Sequence, residues 1–286
     1  MSNTTAESLK LAALPGRRAL PAVSYVLLTA GLAAMLFPFL WMAATSLKTP
    51  QDVYSLSLIP DAPSWANYVS LFRNSLFGVW IANSFIVAVF STLSVCFFDT
   101  LVGYIIAKFT FYGKRTIFVL ILCTLMVPTE MLIIPWYLIS TRFGWVDTYW
   151  GILFPGVISG FGIFLMKQFM ESAPSDLLDA ARIDGMSEWG ILLRIAVPLM
   201  RSAIATLAIL SFLGGWNSFI WPLIVTQTEL RYTIPVGMAF FSSEAKDSSS
   251  WVQIMTGATV SVLPLIGVFL LFQKQITRGI ATTGLK

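Results

Sequence analysis

Histidine is absent from the 286 residues, which removes the commonest general base and the commonest metal ligand from the chemistry open to the chain. Cysteine is nearly absent too. Cys96 and Cys123 both sit inside apolar stretches, so neither a zinc cluster nor a disulfide framework is available. Charge is scarce, at 11% of positions against about 25% in soluble domains, while hydrophobic residues reach 57%. A water-soluble fold could not hide that surplus. A phosphate-cradling loop is missing: Gly113-Lys114-Arg115-Thr116 is the nearest match, and it lacks both the leading glycine and the spacing of Gly-x4-Gly-Lys-Ser/Thr. The chain therefore cannot power itself with nucleotide. No nucleophile–base pair or metal cluster suggests an enzyme, and no solenoid repeat is visible.

What the chain does contain is long apolar runs. A helix crossing the hydrocarbon core needs about 20 mostly apolar residues. Six runs approach or exceed that length: Ala22–Ser46, Val79–Ala107, Thr116–Ile139, Trp150–Met166, Ser202–Val225 and Trp251–Phe272. The fourth is short and interrupted by Pro155 and glycines. Lys10, Arg17 and Arg18 ahead of the first run imitate a secretory leader, but the run is too long for one and no clean cleavage site follows, so it reads as an uncleaved span. Basic residues collect on the cytoplasmic side of membranes. With the N-terminus inside, thirteen of the 18 Lys and Arg residues fall there, leaving Lys48, Arg73, Arg142, Arg231 and Lys246 outside. Their scatter between apolar runs argues against a nucleic-acid partner and for contact with membrane lipid. This predicts an all-α membrane protein with six transmembrane helices and both termini cytoplasmic. Residues 1–21 form the inner N-terminal tail, 47–78 an extracytoplasmic segment with a short interfacial helix over Trp65–Phe77, and 273–286 an inner C-terminal tail. Trp65, Tyr68, Trp145, Tyr149 and Trp150 suit an outer aromatic belt.

The longest cytoplasmic loop, 167–201, is patterned. Pro174 suits the first position of a helix, Asp176 complements its dipole, and Leu177, Leu178, Ala180, Ala181 and Ile183 give it an apolar face. Gly185 suits the left-handed closure of that helix, Ser187 caps a second short helix, and Pro198 turns the chain into the fifth run. The result is a helix–turn–helix elbow whose apolar residues point to a docking surface, with small Ala180 and Ala181 allowing close approach of a partner.

The segment Asp179-Ala180-Ala181-Arg182-Ile183-Asp184-Gly185, followed by Ile195 and Pro198, resembles the EAA motif of binding-protein-dependent ABC importers. Asp179 stands where the family has glutamate, keeping the charge with a shorter reach. Asn83-Ser84, the stretch Trp216 to Leu223, Gln273-Lys274, Arg278-Gly279 and the ending Thr283 to Lys286 are similar to carbohydrate-uptake permeases of the maltose type. The resemblance implies the type I permease fold. It also implies a homologous second permease subunit, two copies of a cytoplasmic ATPase that hold ATP and magnesium, and an extracytoplasmic sugar-binding protein. By that resemblance Asp179, Ala180, Ala181, Asp184 and Gly185 dock on the ATPase, the C-terminal tail inserts between the two ATPases, and the chain itself carries no cofactor, metal or catalytic residue.

Few charged groups lie inside the runs, and each would cost roughly 2.5–3.5 kcal/mol at the membrane centre unless it faces protein or water. Asp99 belongs to a stripe with Ser84, Ala88, Ser91, Val95 and Gly103 that suits helix packing. Glu130, directly after the Pro128-Thr129 pair, is a candidate for the translocation path, as are Trp216, Asn217 and Trp221, since sugars stack on aromatic faces and bond to amides. Interhelical packing is the competing role for all four. An ion-coupled sugar carrier acting alone is the alternative function. Such carriers show inverted repeats and broken midplane helices, neither of which is legible here, and they have no use for the elbow.

Overall fold

A computed structural model describes residues 22–243 and 247–283, all of their regular structure helical. In chain order the helices are α1 (Ala22–Ser46), α2 (Ala66–Asn74), α3 (Phe77–Lys108), α4 (Lys114–Thr124), α5 (Ile133–Arg142), α6 (Tyr149–Leu153), α7 (Gly160–Ser172), α8 (Ser175–Ile183), α9 (Glu188–Ile191), α10 (Val197–Leu199), α11 (Arg201–Trp216), α12 (Ile220–Val225), α13 (Ile234–Ser243) and α14 (Ser248–Thr283). The expected inner N-terminal tail, 1–21, lies outside the described residues. So do the last three residues of the expected C-terminal tail, although α14 carries the backbone as far as Thr283.

Three helices, α1, α3 and α14, are each long and apolar enough to cross a hydrocarbon layer, and the count rises to six if each of three bent pairs is one span. The sequence reading marks two of these bends, the interruption at Pro155 and the turn at Pro198, and leaves the one in the third run unmarked. The third run breaks between α4 and α5 with a bend of 95°, at Pro128, which lacks a backbone donor and bars a continuous helix. The fourth run bends by 44° between the α6 turn and α7, around Pro155 and Gly156. Ahead of α11 the chain turns by 81°, and α11 stops at Trp216 so that the fifth run continues only as the short α12. A helix absent from the sequence reading, α13, fills the far loop. Its signal was the apolar Ile234-Pro235-Val236 start, with proline fit for a first turn.

Helix α3 is the axis of the bundle, packing against both α7 and α11, while α14 packs against α1 and α11. At about 1.5 Å per residue its 32 residues extend some way beyond a hydrocarbon core of about 30 Å. The stripe Ser84, Ala88, Val95, Asp99 and Gly103 is buried along it, with Ser91 half-buried, as its spacing predicts. Conversely, α1 turns residues such as Leu27, Met35 and Leu40 outward, a surface that only lipid or an apolar partner can cover.

Both ends of α3 are tied down. At the end remote from the elbow, the Asn83 amide donates to the carbonyls of Leu230 (2.9 Å) and Tyr232 (2.8 Å), while its oxygen accepts from the Tyr149 hydroxyl at 2.5 Å. Ser84 accepts from the Ile234 amide at 2.7 Å, and the Trp80 indole donates to the Glu229 carbonyl at 2.9 Å. These bonds hold the segment leading into α13 against the start of α3. The short helix expected over Trp65–Phe77 forms as α2, over Ala66–Asn74. The chain before it is pinned by Asn67, which donates to the carbonyls of Ser46 and Lys48, and by buried Lys48, which donates to the Ser55 carbonyl at 2.8 Å.

Contact between α3 and α7 depends on glycine. A Cβ on Gly103 would lie 2.7 Å from the Met166 Cβ and 3.0 Å from the Lys167 backbone nitrogen. Gly103→Val should therefore push α7 away and cost about 1–3 kcal/mol by overpacking, read as a lowered unfolding temperature of the detergent-solubilised protein. Gly31→Ala, inside α1 where an added Cβ meets nothing within 4 Å, should not lower that temperature and should raise it slightly through helix propensity.

Candidate functional site

The elbow forms as two short helices joined by a tight turn. Pro174 stands just before α8 with ψ 122° rather than at its first position, so Ser175 opens the helix. Gly185 closes it at φ +78°, a left-handed conformation in which a side chain would strain the backbone. The Met186 amide then returns to the Ala181 carbonyl at 3.0 Å, and Ser187 caps α9 by accepting from the Gly190 amide at 3.3 Å. The second arm widens into a π-helical stretch at Leu192–Ala196 before Pro198, the local loosening that precedes the sharp turn into α11.

An ion-pair relay braces the two arms and fixes them to α3. Arg182 donates to Asp179 at 2.6 Å and to Glu188 at 2.7 Å, and the Tyr104 hydroxyl of α3 donates to the same Glu188 carboxylate at 3.0 Å. The bond to Glu188, opposed by some desolvation, holds the Arg182 guanidinium above its ordinary pKa. Lys108, the last residue of α3, donates to the Ala173 carbonyl at 2.8 Å where the elbow begins. Tyr104, Lys108 and Glu188 were not singled out from sequence. Nothing local marks them, because Tyr104 and Glu188 lie 84 positions apart.

Two distinct faces of α8 follow, and this corrects the single docking face read from sequence. Leu178 and Ala181 are buried in a core with Tyr104, Met166, Met170 and Ile191. Ala181, 6% exposed, therefore packs against its own chain and is unavailable to a partner's groove. Asp179, Ala180, Asp184 and Gly185 are exposed, beside outward-facing Leu177, Ile183 (86% exposed) and Trp189.

Between α3, the α4–α5 bend, the α6–α7 break and α11 lies an open cleft of about 820 Å³. Its polar wall is made of hydroxyls from Ser91, Thr124, Thr129, Ser159, Ser211 and Ser218, and no ionised side chain lines it. Aromatic rings come from Trp136, Phe161 and Trp221. A surface of hydroxyls and rings can hydrogen-bond and stack on a polyhydroxylated solute without paying for an unpaired charge. Asp99 lies behind this wall. It is fully buried, and its carboxylate accepts from the Ser159 amide at 3.0 Å, at the point where α7 restarts.

Three of the path candidates lie elsewhere. Trp216 is 2% exposed, its indole donating to the Ser261 carbonyl and its ring stacked on Phe212 at 5.8 Å, so it is core. Asn217 closes α11, with its amide turned back onto the Leu213 carbonyl at 2.9 Å. Glu130 is exposed in the turn Thr129–Leu132; its neighbours Thr129 and Leu132 line the cleft and it does not. Trp221 does border the cleft, but its indole is spent on the Gly151 carbonyl at 3.0 Å. The residues the sequence reading missed, Ser211, Gly214 and Ser218, recur at i, i+3 and i+7 and could have been found as a small polar stripe beside the conspicuous tryptophans.

The sequence model of the binding-protein-dependent transport system inner membrane component matches residues 99–282. The chain belongs to this family. Among relatives of this permease component is the arabinooligosaccharides transport system permease protein AraQ of Bacillus subtilis (strain 168), 34% identical over 88% of this chain and 90% of its own length. Another is the sn-glycerol-3-phosphate transport system permease protein UgpE of Pectobacterium atrosepticum, 30% identical over 93% of this chain and 98% of its own. A solved bacterial ABC transporter involved in the import of the acidic polysaccharide alginate shares the fold, with a TM-score of 0.81 over 88% of this chain and 95% of that chain at 24% identity. The all-helical type I permease fold expected from sequence is therefore the fold present.

For the elbow of this permease, Arg182→Met should loosen the two arms by about 1 kcal/mol, the scale of a partly exposed ion pair. Amide exchange across Ser175–Ile191 should then rise about fivefold while α3 and α7 keep their protection. Tyr104→Phe should produce a smaller rise in the same segment, since Arg182 still holds Glu188.

Proposed function

We propose that this chain is one pore subunit of an ATP-driven importer for a sugar or glycoside. It builds half of the translocation pathway with a homologous second permease subunit, couples to two copies of a cytoplasmic ATPase that hold ATP and magnesium, and receives solute from an extracytoplasmic binding protein. The observation that carries the coupling role is the exposed apolar group Leu177, Ile183 and Trp189 on an elbow braced by Arg182. Apolar side chains held outward on a rigid protrusion are matched to a partner's cleft. The docking set is Asp179, Ala180, Asp184 and Gly185 with Ile183. The basic bias of the sequence puts the elbow, both termini and the 1–21 and 273–286 tails on the cytoplasmic side and segment 47–78 outside.

Sugar as the class of cargo is supported by the uncharged hydroxyl-and-ring lining of the cleft and by the arabinooligosaccharides named for one relative. A solitary ion-coupled carrier also uses broken helices, so the three bends do not separate the two readings. The elbow does, because a carrier has nothing to dock there.

The direct test reconstitutes the permease pair, the ATPase and the binding protein in liposomes. Uptake should require internal ATP, and uptake driven by a proton or sodium gradient without ATP would overturn the reading. Within that system Ile183→Glu should abolish co-purification of the ATPase, and Gly185→Val should do likewise through backbone strain of about 1–2 kcal/mol. Ser249→Ala, placed outside, should leave association intact. Ala181→Phe should lower the unfolding temperature of the permease itself, which separates core damage from lost docking.

A further inference from the structure

The turn between α3 and α4 opens a second cavity, of about 680 Å³, at the same end of the bundle as the elbow. Lys114, Arg115 and Lys167 line it, with Glu171 as the one acid among its lining residues. Glu171 is already paired with Lys167 at 2.9 Å, and that ammonium also sits over the Phe118 ring at 4.3 Å. Lys114 spends one of its three donors on the Phe109 carbonyl at 3.0 Å, and Arg115 is exposed. Among the described residues, Lys114 and Arg115 thus pair with no carboxylate.

Tyr112 stands fully exposed beside Phe111 at its mouth, in the position of an interfacial aromatic anchor. Outside the cavity lining, on the adjoining face of α4, Ile117 and Leu120 form an exposed apolar stripe, one helical turn apart. Cationic groups at the edge of a span, with an apolar track leading into the hydrocarbon, match an amphiphile with an anionic head. A free phosphate would use the cations and leave the track bare.

We infer that this cavity binds the phosphodiester headgroup of an acidic phospholipid, with one acyl chain along Ile117 and Leu120. Lys114 and Arg115 are the headgroup ligands, while Lys167 and Phe118 form the floor. The site rests on the membrane placement proposed above and adds to it a lipid-specific anchor beside the elbow, through Lys108 and Lys114 on either side of the α3–α4 turn.

The test uses the assembled transporter, purified from membranes and placed in nanodiscs containing phosphatidylcholine alone or with phosphatidylglycerol. Native mass spectrometry should find phosphatidylglycerol retained in preference to phosphatidylcholine. Lys114→Gln with Arg115→Gln should reduce that retention about thirtyfold, the scale of two basic side chains at an acidic surface. The charge-conserving pair Lys114→Arg and Arg115→Lys should keep it, which guards against a folding defect. Equal retention of both lipids, or unchanged retention in the glutamine pair, would overturn the inference. Displacement of the lipid by millimolar inorganic phosphate would assign the site to a free anion instead, and loss of ATPase co-purification without loss of lipid would assign it to a protein contact. If wild-type transporter takes up solute with ATP yet shows no lipid preference, only this inference falls. If it fails ATP-driven uptake, the functional reading falls.

Discussion

Close approach of α3 to the backbone of α7 is the contact on which the rest of the molecule depends. Gly103 admits Met166 and Lys167 without a side chain between them. One turn earlier the Asp99 carboxylate reaches across to the Ser159 amide, where the broken fourth run restarts as α7. In hydrocarbon an interrupted helix has no water to satisfy its freed amides, so the interruption persists only where protein supplies an acceptor. Asp99 is that acceptor, which explains a carboxylate in the middle of a span.

Function is distributed along the same helix. Near its start Asn83 and Ser84 grip the segment entering α13, its middle forms one wall of the cleft, and its last turns hold the elbow through Tyr104 and Lys108. A displacement of the elbow would therefore be felt directly by the helix that lines the cleft. The elbow and the cleft wall are thus fastened to the same helix. The two-sided burial of α8 serves the same end: Leu178 and Ala181 fasten it inward so that Ile183 can be held outward.

The bends in the third and fourth runs open the cleft. Each leaves backbone and hydroxyl groups facing one volume, and the absence of ionised lining groups there keeps the wall compatible with an uncharged, hydroxyl-rich solute. Glu130 sits just past the α4–α5 bend and Asn217 at the end of α11, which is why they attract attention in the sequence. Prolines and polar residues mark where a helix stops, and a stopping point is not itself a binding group.

The sequence by itself determined the solvent in which the chain folds, the number of apolar runs, the existence of the elbow and the glycine that closes it. Those features follow from composition and local spacing: lipid selects long apolar helices, and a left-handed turn selects Gly185. The family was legible for the same reason, since its motif is contiguous. Only the tertiary structure decided that Ala181 faces inward, that Trp216 is core, that Arg182 meets Glu188 and Glu188 meets Tyr104, and that Ser211, Gly214 and Ser218 line the cleft. Helical periodicity in a membrane protein cannot sort these roles, because lipid-facing, partner-facing and core-facing positions are all apolar. What distinguishes them is which distant backbone arrives opposite each residue, and that is set by packing across scores of intervening positions.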